Sequence, residues 1–353
     1  MRKTIEKIGD RKGITLIALV VTIVIILILA GITVGMVTSD NGILRETKSA
    51  KTQAEIDNEK SIVERAKMLT MMRDKSGKIT LEVFELALKD EAGTNPTEVS
   101  EAGDIIEVLF TDSNRYYEVD KYGNISDAHE TVKDEYAGDI TKGGKCDGST
   151  EKPYEINCIE DLVILANRTN GLGNYIDENG EVKDAVQVGN PFRGKNFILT
   201  RNLNFESRFS YLKPELKWSY DSENDTYKIN ETSATTLKEI ITDKEGVGFV
   251  PIGPEIGSSY KIFQGNLDGQ NYSIQNLYEN RDTTGAGLFR TLCNSTIKNL
   301  KITGKINAPG HVAGSITTIS EGSKFYNCES EVEMNAKGTG GIVATAWREH
   351  NIS

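Results

Sequence analysis

The sequence predicts three successive parts: an N-terminal transmembrane or extended α-helix, a small α+β head, and an all-β solenoid. Three observations predict them: an apolar run, a change from helical to strand periodicity, and short elements that recur toward the C-terminus. The predicted boundaries are 1–13 for a basic leader, 14–37 for the transmembrane helix, 38–127 for the head, 128–150 for a linker and 151–353 for the repeats.

The first of these observations concerns residues 14–37, which contain no Asp, Glu, Lys or Arg. As a helix, this segment would be about 36 Å long, enough to cross a hydrocarbon core of about 30 Å. A secretory signal normally has a shorter apolar core and a small-residue cleavage site. A plain single-pass anchor fits the length. The positive-inside rule then predicts a membrane protein with a cytoplasmic leader and an extracellular C-terminal bulk.

A third interpretation comes from the order of residues around Gly13. The stretch "KGITLIALVVTIVIILILAG" resembles the cleavage and methylation segment of type IV pilins and pseudopilins. The resemblance implies that prepilin peptidase cuts after Gly13 and that Ile14 becomes a methylated N-terminus. The family usually carries Glu at the fifth mature position, where this chain has Ala18. Ala18 cannot pair with the amino terminus of a neighbouring subunit, so the resemblance leaves filament assembly open.

The small α+β head is predicted from a change in hydrophobic periodicity, from a helical period to the two-residue period of strands. Residues 44–73 are rich in Ala, Glu, Lys and Gln, which favour a long helix. Residues 80–93 form an amphipathic pattern that ends at a glycine. Alternating segments at 104–110 and 115–120 flank a turn and predict a β-hairpin. Together they predict a small α+β head of pilin-like size, and the polar, Gly-rich residues 128–150 predict a linker.

Two short elements alternate near the C-terminus. "IQNL" at 274–277 is followed by "IKNL" at 297–300 and "FYNC" at 325–328, while "AGLF" at 286–289 is followed by "AGSI" at 313–316 and "GGIV" at 340–343. This alternation predicts a solenoid with one coil per repeat, in which neighbouring coils bury each other's apolar faces.

The repeat alignment predicts which residues stack. One inward row contains Ile274, Ile297 and Phe325, and a second contains Leu277, Leu300 and Cys328. A structural ladder of Asn276, Asn299 and Asn327 is predicted at one corner, because Asn tolerates the left-handed conformation. Gly287, Gly314 and Gly341 are assigned to another tight corner.

The same residues carry a second resemblance. "FQGNLDGQNYSIQNL…AGLF…IKNLKITGKI…VAGSI…FYNC…GGIV" is similar to the GLUG-motif repeats of bacterial surface proteins. The resemblance implies a right-handed parallel β-helix in an adhesin-like, cell-surface setting and supplies no shared catalytic residues. The full predicted fold class is therefore an N-terminal transmembrane helix with a small α+β pilin-like head, followed by an all-β right-handed parallel β-helix. The spacing of the last repeat predicts that the sequence stops partway through a coil.

Composition narrows the function. The formal net charge is −11, and the first 13 residues carry five basic and two acidic side chains, so the remainder is more acidic still. Nucleic acid is excluded as a partner because phosphate binding needs basic patches. The four cysteines form no CxxC pair and only three histidines occur, so neither a metal site nor a cofactor is predicted.

The function predicted from these features is that of a membrane-tethered pilin-like surface protein, not an enzyme. It would display a β-helix for adhesion or assemble with other pilin-like subunits. Two alternatives stay open: a carbohydrate-active β-helix enzyme on a membrane anchor, and a secretion-system pseudopilin. Two carboxylates about 5–10 Å apart in a cleft would favour the enzyme. The expected partners are prepilin peptidase, the lipid bilayer, other pilin-like subunits, and an extracellular glycan or protein ligand.

Overall fold

The computed structural model describes residues 43–74, 79–131, 136–186, 189–253, 262–282 and 284–347. The chain divides into two compact units, residues 1–65 and 66–353. In the first unit, every described residue belongs to one helix that continues into the second. The remaining elements, and every residue discussed below as a site, lie in the second unit.

Four α-helices occur among the described residues. They are α1 (Ile43–Arg73), α2 (Leu81–Ala92), α3 (Ile159–Asn170) and α4 (Leu237–Thr242). The first two begin and end within one residue of the boundaries predicted from composition and periodicity. In α1, the absence of Pro and Gly and the many Ala, Glu and Lys residues favour an uninterrupted helix.

The predicted fold class is wrong in its membrane-spanning helix. No described helix is both long and apolar enough to cross a membrane. Helix α1 has 31 residues, but Lys, Glu and Arg recur along its whole length, and such charges are costly in a bilayer. The described chain is instead mostly sheet, with several sheets of parallel strands. The predicted segment 14–37 lies outside the described residues.

The predicted localisation fails with the fold class. The prediction was a single-pass membrane protein with its C-terminal bulk outside the cell. That prediction depended on residues 14–37, and no helix in the described ranges supports a single-pass anchor.

A four-stranded antiparallel sheet follows α2. Its strands pair in chain order: β1 (Thr97–Ala102), β2 (Ile105–Phe110), β3 (Arg115–Asp120) and β4 (His129–Glu130). Helix α2 contacts β1 and buries Phe84 and Leu88. Strand β4 lies within the predicted linker, and Ile140, further along that segment, is fully buried. Part of the predicted linker is therefore packed, since a buried apolar side chain removes surface from water.

Most of the remaining strands form successive coils, which we call the coil stack. The strands are β5 (Tyr154–Ile156), β8 (Asn196–Leu199), β9 (Leu203–Asn204), β12 (Asn266–Asp268), β13 (Ser273–Asn280), β14 (Phe289–Cys293), β15 (Thr296–Gly314), β16 (Thr317–Glu321), β17 (Lys324–Gly340) and β18 (Val343–Trp347). One sheet has the order β5–β8–β12–β15–β13–β9, with β17 also paired to β15, and a second sheet has the order β14–β16–β18. All pairs in these two sheets are parallel.

Two antiparallel hairpins are inserted into this arrangement. They are β6 (Asn174–Ile176) with β7 (Val182–Asp184), and β10 (Trp218–Asp221) with β11 (Thr226–Ile229). The turn of the second hairpin holds Asp225, whose carboxylate pairs with Arg281 at 2.6 Å and Arg290 at 2.5 Å. Burial raises the pKa of Asp225, but the two guanidinium charges outweigh it and lower the pKa to about 2. The ionised carboxylate therefore ties this hairpin to the coil stack.

A row of buried apolar side chains fixes the register of the coils. Four residues are register partners from one strand to the next: Phe197 of β8, Leu267 of β12, Ile297 of β15 and Phe325 of β17. Each is at most 1% exposed. Because successive side chains in a strand point to opposite faces, their neighbours along each strand face outward.

The first repeat takes a different register from the predicted one. Ile274 pairs with Ile302, not with Ile297, and Leu277 pairs with Gly304 instead of Leu300. The cause is the turn at residues 269–272, which separates β12 from β13. The neighbouring strand β15 pairs with both of them and has no break at this point. The later coils show Ile297 opposite Phe325 and Leu300 opposite Cys328.

Replacing Ile297 by Ala tests the importance of the inward row. We expect a loss of about 2–5 kcal/mol in the free energy of unfolding, because the fully buried side chain leaves a cavity between two coils. Urea unfolding of the full chain measures it. Lys324→Ala, an exposed change in a neighbouring coil, is the control and should stay within about 0.5 kcal/mol. Equal losses in both variants would contradict the role assigned to the row.

Candidate functional site

The outward face of β8, β12 and β15 carries two columns of side chains. One consists of Asn196, Asn266 and Thr296, and the other of Ile198, Asp268 and Lys298. Tyr326 of β17 is the register partner of Lys298 and continues the second column by one coil. The strands lie about 4.8 Å apart, so each column presents a new side chain at that interval.

The first column is joined by amide hydrogen bonds. The side-chain amide of Asn266 donates to the Oδ1 of Asn196 at 3.2 Å, and the backbone N–H of Thr296 donates to the Oδ1 of Asn266 at 2.9 Å. Each amide is half-buried. These two bonds hold the Asn266 side chain in one orientation.

The second column is centred on Asp268. Its carboxylate accepts from the amide of Asn299 at 2.9 Å and from the backbone and side-chain N–H groups of Gln270 at 2.9 and 2.8 Å. The ammonium of Lys298 lies 3.0 Å away. Burial raises the pKa of Asp268. The hydrogen bonds from Asn299 and Gln270 and the charge of Lys298 lower it by a larger amount, so the net shift is downward. The carboxylate is therefore fixed in position and ionised.

A groove runs over these two columns. Its volume is about 310 Å³, and its walls include Thr150 and Pro153 from the segment that precedes β5. Gln270 and Asp268 line it together with Asn266. Next to the groove, Tyr326 is 37% exposed and offers a ring to solvent. The surface thus combines amides, an ion pair, a hydroxyl and an aromatic ring.

Two members of the predicted asparagine ladder meet at the corner beside this groove. Asn299 and Asn327 both have positive φ, 53° and 49°. The amide of Asn327 donates to the Oδ1 of Asn299 at 3.1 Å and to the Oδ1 of Asn271 at 3.3 Å. The third position of this corner is therefore occupied by Asn271, which also has positive φ (65°).

The other ladder residue, Asn276, lies at a different corner. It has positive φ (55°), but its amide donates to the Oδ1 of Asn204 at 2.9 Å, and its backbone N–H donates to the hydroxyl of Thr303. The structure therefore separates Asn276 from Asn299 and Asn327. The reason is the register described above, which places Asn276 opposite Thr303 of the next coil.

The predicted processing residues Gly13 and Ile14 lie outside the described residues. Within the described ranges, no group of three or more His, Cys, Asp and Glu side chains could hold a metal ion. The acidic segment 177–181 forms a turn, because the Asp177 carboxylate accepts the backbone N–H groups of Asn179 and Glu181 at 2.9 Å each.

Glu329, Glu331 and Glu333 lie on the exposed face of β17, as a two-residue period requires. Lys301 of the preceding coil pairs with Glu329 at 3.1 Å and with Glu331 at 2.7 Å, and Lys305 pairs with Glu333 at 3.0 Å. These are surface ion pairs between coils, and pairs of this kind contribute little to stability.

Comparison of the chain with protein-family models, curated proteins and solved structures finds no match. The two resemblances drawn from its motifs therefore stay predictions.

Sequence reasoning missed the residues that line the groove. The sequence analysis assigned no site role to Asn196, Asn266 or Lys298, and they come together only when the coils stack in the observed register. One signal was available: a polar residue precedes each inward residue in "NFI", "NLD", "TIK" and "KFY". Aligning these four triplets would have assembled both columns.

Two substitutions at Asn299 separate its backbone role from its hydrogen bond. Asn299→Ala should lower the free energy of unfolding by about 2–3 kcal/mol, because Ala is strained at positive φ and the bond to Asp268 is lost. Asn299→Gly loses the same side-chain hydrogen bonds without the backbone strain, so it should be more stable than the Ala variant by about 1 kcal/mol. Chemical denaturation of both variants measures the difference. If Ala were as stable as Gly, the left-handed backbone would not be what selects Asn here.

Proposed function

We propose that the coil stack is a non-catalytic binding module, and that the groove over β8, β12 and β15 holds a glycan and so mediates adhesion. The observation that carries the proposal is the pair of outward columns, in which Asn266, Asp268 and Lys298 line one groove and Tyr326 lies next to it. A glycan held in this groove would contact these side chains.

The chemistry of the groove suits a polyhydroxyl ligand. Amides and carboxylates can each bond to sugar hydroxyls, because an amide both donates and accepts and an ionised carboxylate accepts. The ring of Tyr326 offers an apolar face against which the C–H side of a sugar ring can pack, and its hydroxyl can bond to the same ligand. A neutral sugar fits better than a strongly charged ligand, since Asp268 and Lys298 balance each other's charge at 3.0 Å.

Preorganisation supports binding as well. Asp268 is held by Asn299, Gln270 and Lys298 before any ligand arrives. Asn266 is likewise oriented by its bond to Asn196. Side chains that are already ordered lose less conformational entropy when a ligand binds, which favours affinity.

The same geometry is a weaker fit to glycoside hydrolysis. Among the described residues that line the groove, Asp268 is the one carboxylate. Its pKa is shifted downward, whereas the general acid of a glycosidase needs a pKa raised toward neutrality. We therefore favour binding over the alternative of a carbohydrate-active enzyme.

Substitution of Tyr326 and Asp268 tests the proposal. The full chain is screened against a glycan array, and the best ligand is measured by isothermal titration calorimetry. Tyr326→Ala and Asp268→Asn should each weaken binding about tenfold, a change of about 1.4 kcal/mol. Tyr122→Ala is the matched control, because Tyr122 is also an exposed tyrosine but lies in the turn after β3, away from the groove. It should leave the affinity unchanged.

Three outcomes would overturn the proposal. The array could show no ligand, the two groove variants could bind as tightly as the native chain, or Tyr122→Ala could weaken binding as much as Tyr326→Ala. Release of reducing sugar during the titration would instead favour the hydrolase.

A further inference from the structure

A second group of ionisable residues lies where the antiparallel sheet β1–β4 packs on the coil stack. Glu107 of β2 and Glu118 of β3 are direct cross-strand partners in this sheet. Two like charges opposite each other on neighbouring strands repel and destabilise a sheet. Such a pair therefore calls for an explanation, all the more because Glu107 is completely buried.

The surroundings of Glu107 do not fully satisfy a carboxylate. Its Oε2 accepts from the hydroxyl of Ser100 at 3.2 Å. Its Oε1 is buried and makes no hydrogen bond within 3.5 Å to a described residue, although the hydroxyl of Ser207 lies near enough to the carboxylate to favour the ionised form. An ionised carboxylate left in this state is costly, whereas a protonated one carries no charge into the protein interior.

The coil stack supplies the groups that face this pair. Arg201, which follows β8, donates from its Nη2 to the hydroxyl of Tyr116 at 3.2 Å, while its Nη1 is buried without a partner in the described chain. Arg208 is already engaged, because its guanidinium pairs with Glu98 at 2.7 Å. The ring of Phe209 stacks on Tyr116 with 4.7 Å between centroids.

Other titratable groups surround the same contact. His129 of β4 stacks on Tyr116 at 5.0 Å, and its buried Nε2 has no partner within the described ranges. Lys238 of α4 acts electrostatically on Glu107, and Asp127 acts on His129. Arg201 is the cation that acts on Glu118 and favours its ionised form, but burial and the charge of Glu107 outweigh it.

We propose that Glu107 and Glu118 form a proton-sensitive latch between the antiparallel sheet and the coil stack. While the pair holds a proton, one carboxyl group can donate to the other or to a neighbouring acceptor, and the contact is firm. When both carboxyl groups ionise, their repulsion in a buried setting weakens the contact. The latch rests on the register, the burial and the unpartnered atoms, and it is independent of the proposed glycan groove.

The titration agrees with this geometry. Burial and then the charge of Glu107 raise the pKa of Glu118 to about 7, and burial raises the pKa of Glu107. A raised acid pKa means that the folded chain binds the proton more tightly than the unfolded chain. The stabilisation is complete below the ordinary glutamate pKa and is lost as the pH rises toward about 7.

His129 has the opposite sign. Burial, then the charge of Arg201, lowers its pKa, so protonation of His129 opposes the folded contact at low pH. The two effects overlap in pH, and variants are needed to separate them.

Amide hydrogen exchange of the full chain, read by mass spectrometry at pH 5 and pH 7.5 and corrected for the intrinsic rate, tests the latch. Peptides from β2 and β3 should show an opening constant about tenfold larger at pH 7.5, which corresponds to one pKa unit. In Glu118→Gln the ratio between the two pH values should fall to within about twofold, because Gln cannot ionise. His129→Gln should enlarge the native ratio.

Asp104→Asn is the matched control, since Asp104 precedes β2 on the exposed side and pairs with Lys121 at the surface; it should keep the native ratio. If Glu118→Gln does not fold, Glu107→Gln provides the same readout. Equal opening constants at both pH values in the native chain would overturn the latch. So would a glutamine variant that keeps the native pH dependence.

Discussion

The parallel stacking of buried apolar side chains is the constraint on which the rest of the coil stack depends. Phe197, Leu267, Ile297 and Phe325 meet in register across four successive strands. Because side chains alternate along a strand, fixing this inward row also fixes which residues face outward. The columns of the groove are therefore a consequence of the core, and no separate feature of the sequence is needed to align them.

The same constraint explains why left-handed asparagines occur where they do. A coil must turn sharply between strands without breaking the parallel register, and Asn adopts positive φ more readily than most residues. Asn299 and Asn327 meet this need in consecutive coils, and Asn271 does so in the coil before them. Asn276 lies at a different corner, where its amide bonds to Asn204. Similar local motifs thus serve two corners, which a comparison of short sequence matches cannot tell apart.

Local patterns predicted helices α1 and α2 and the β2–β3 hairpin well, because their hydrogen bonds join residues close in sequence. Alternating elements also indicated a stacked, repetitive second half. The register of the first coil was not predictable in this way, since the turn at residues 269–272 shifts Ile274 from Ile297 to Ile302. Local patterns did not predict the groove for a related reason: Asn196, Asn266 and Thr296 are separated by 70 and 30 residues in sequence.

Charged residues take opposite roles in the two regions because their surroundings differ. Asp268 lies at the surface among donors and beside a cation, so its pKa is shifted downward and it stays ionised. Glu107 and Glu118 lie in a buried contact and are direct partners on the neighbouring strands β2 and β3. They have fewer compensating hydrogen-bond donors than Asp268 has. Between pH 5 and 7.5 the groove therefore keeps its charge while the contact loses a proton. A ligand bound at Asp268 and a contact governed by Glu118 would consequently respond differently to the same change in pH, which allows the two proposals to be judged separately.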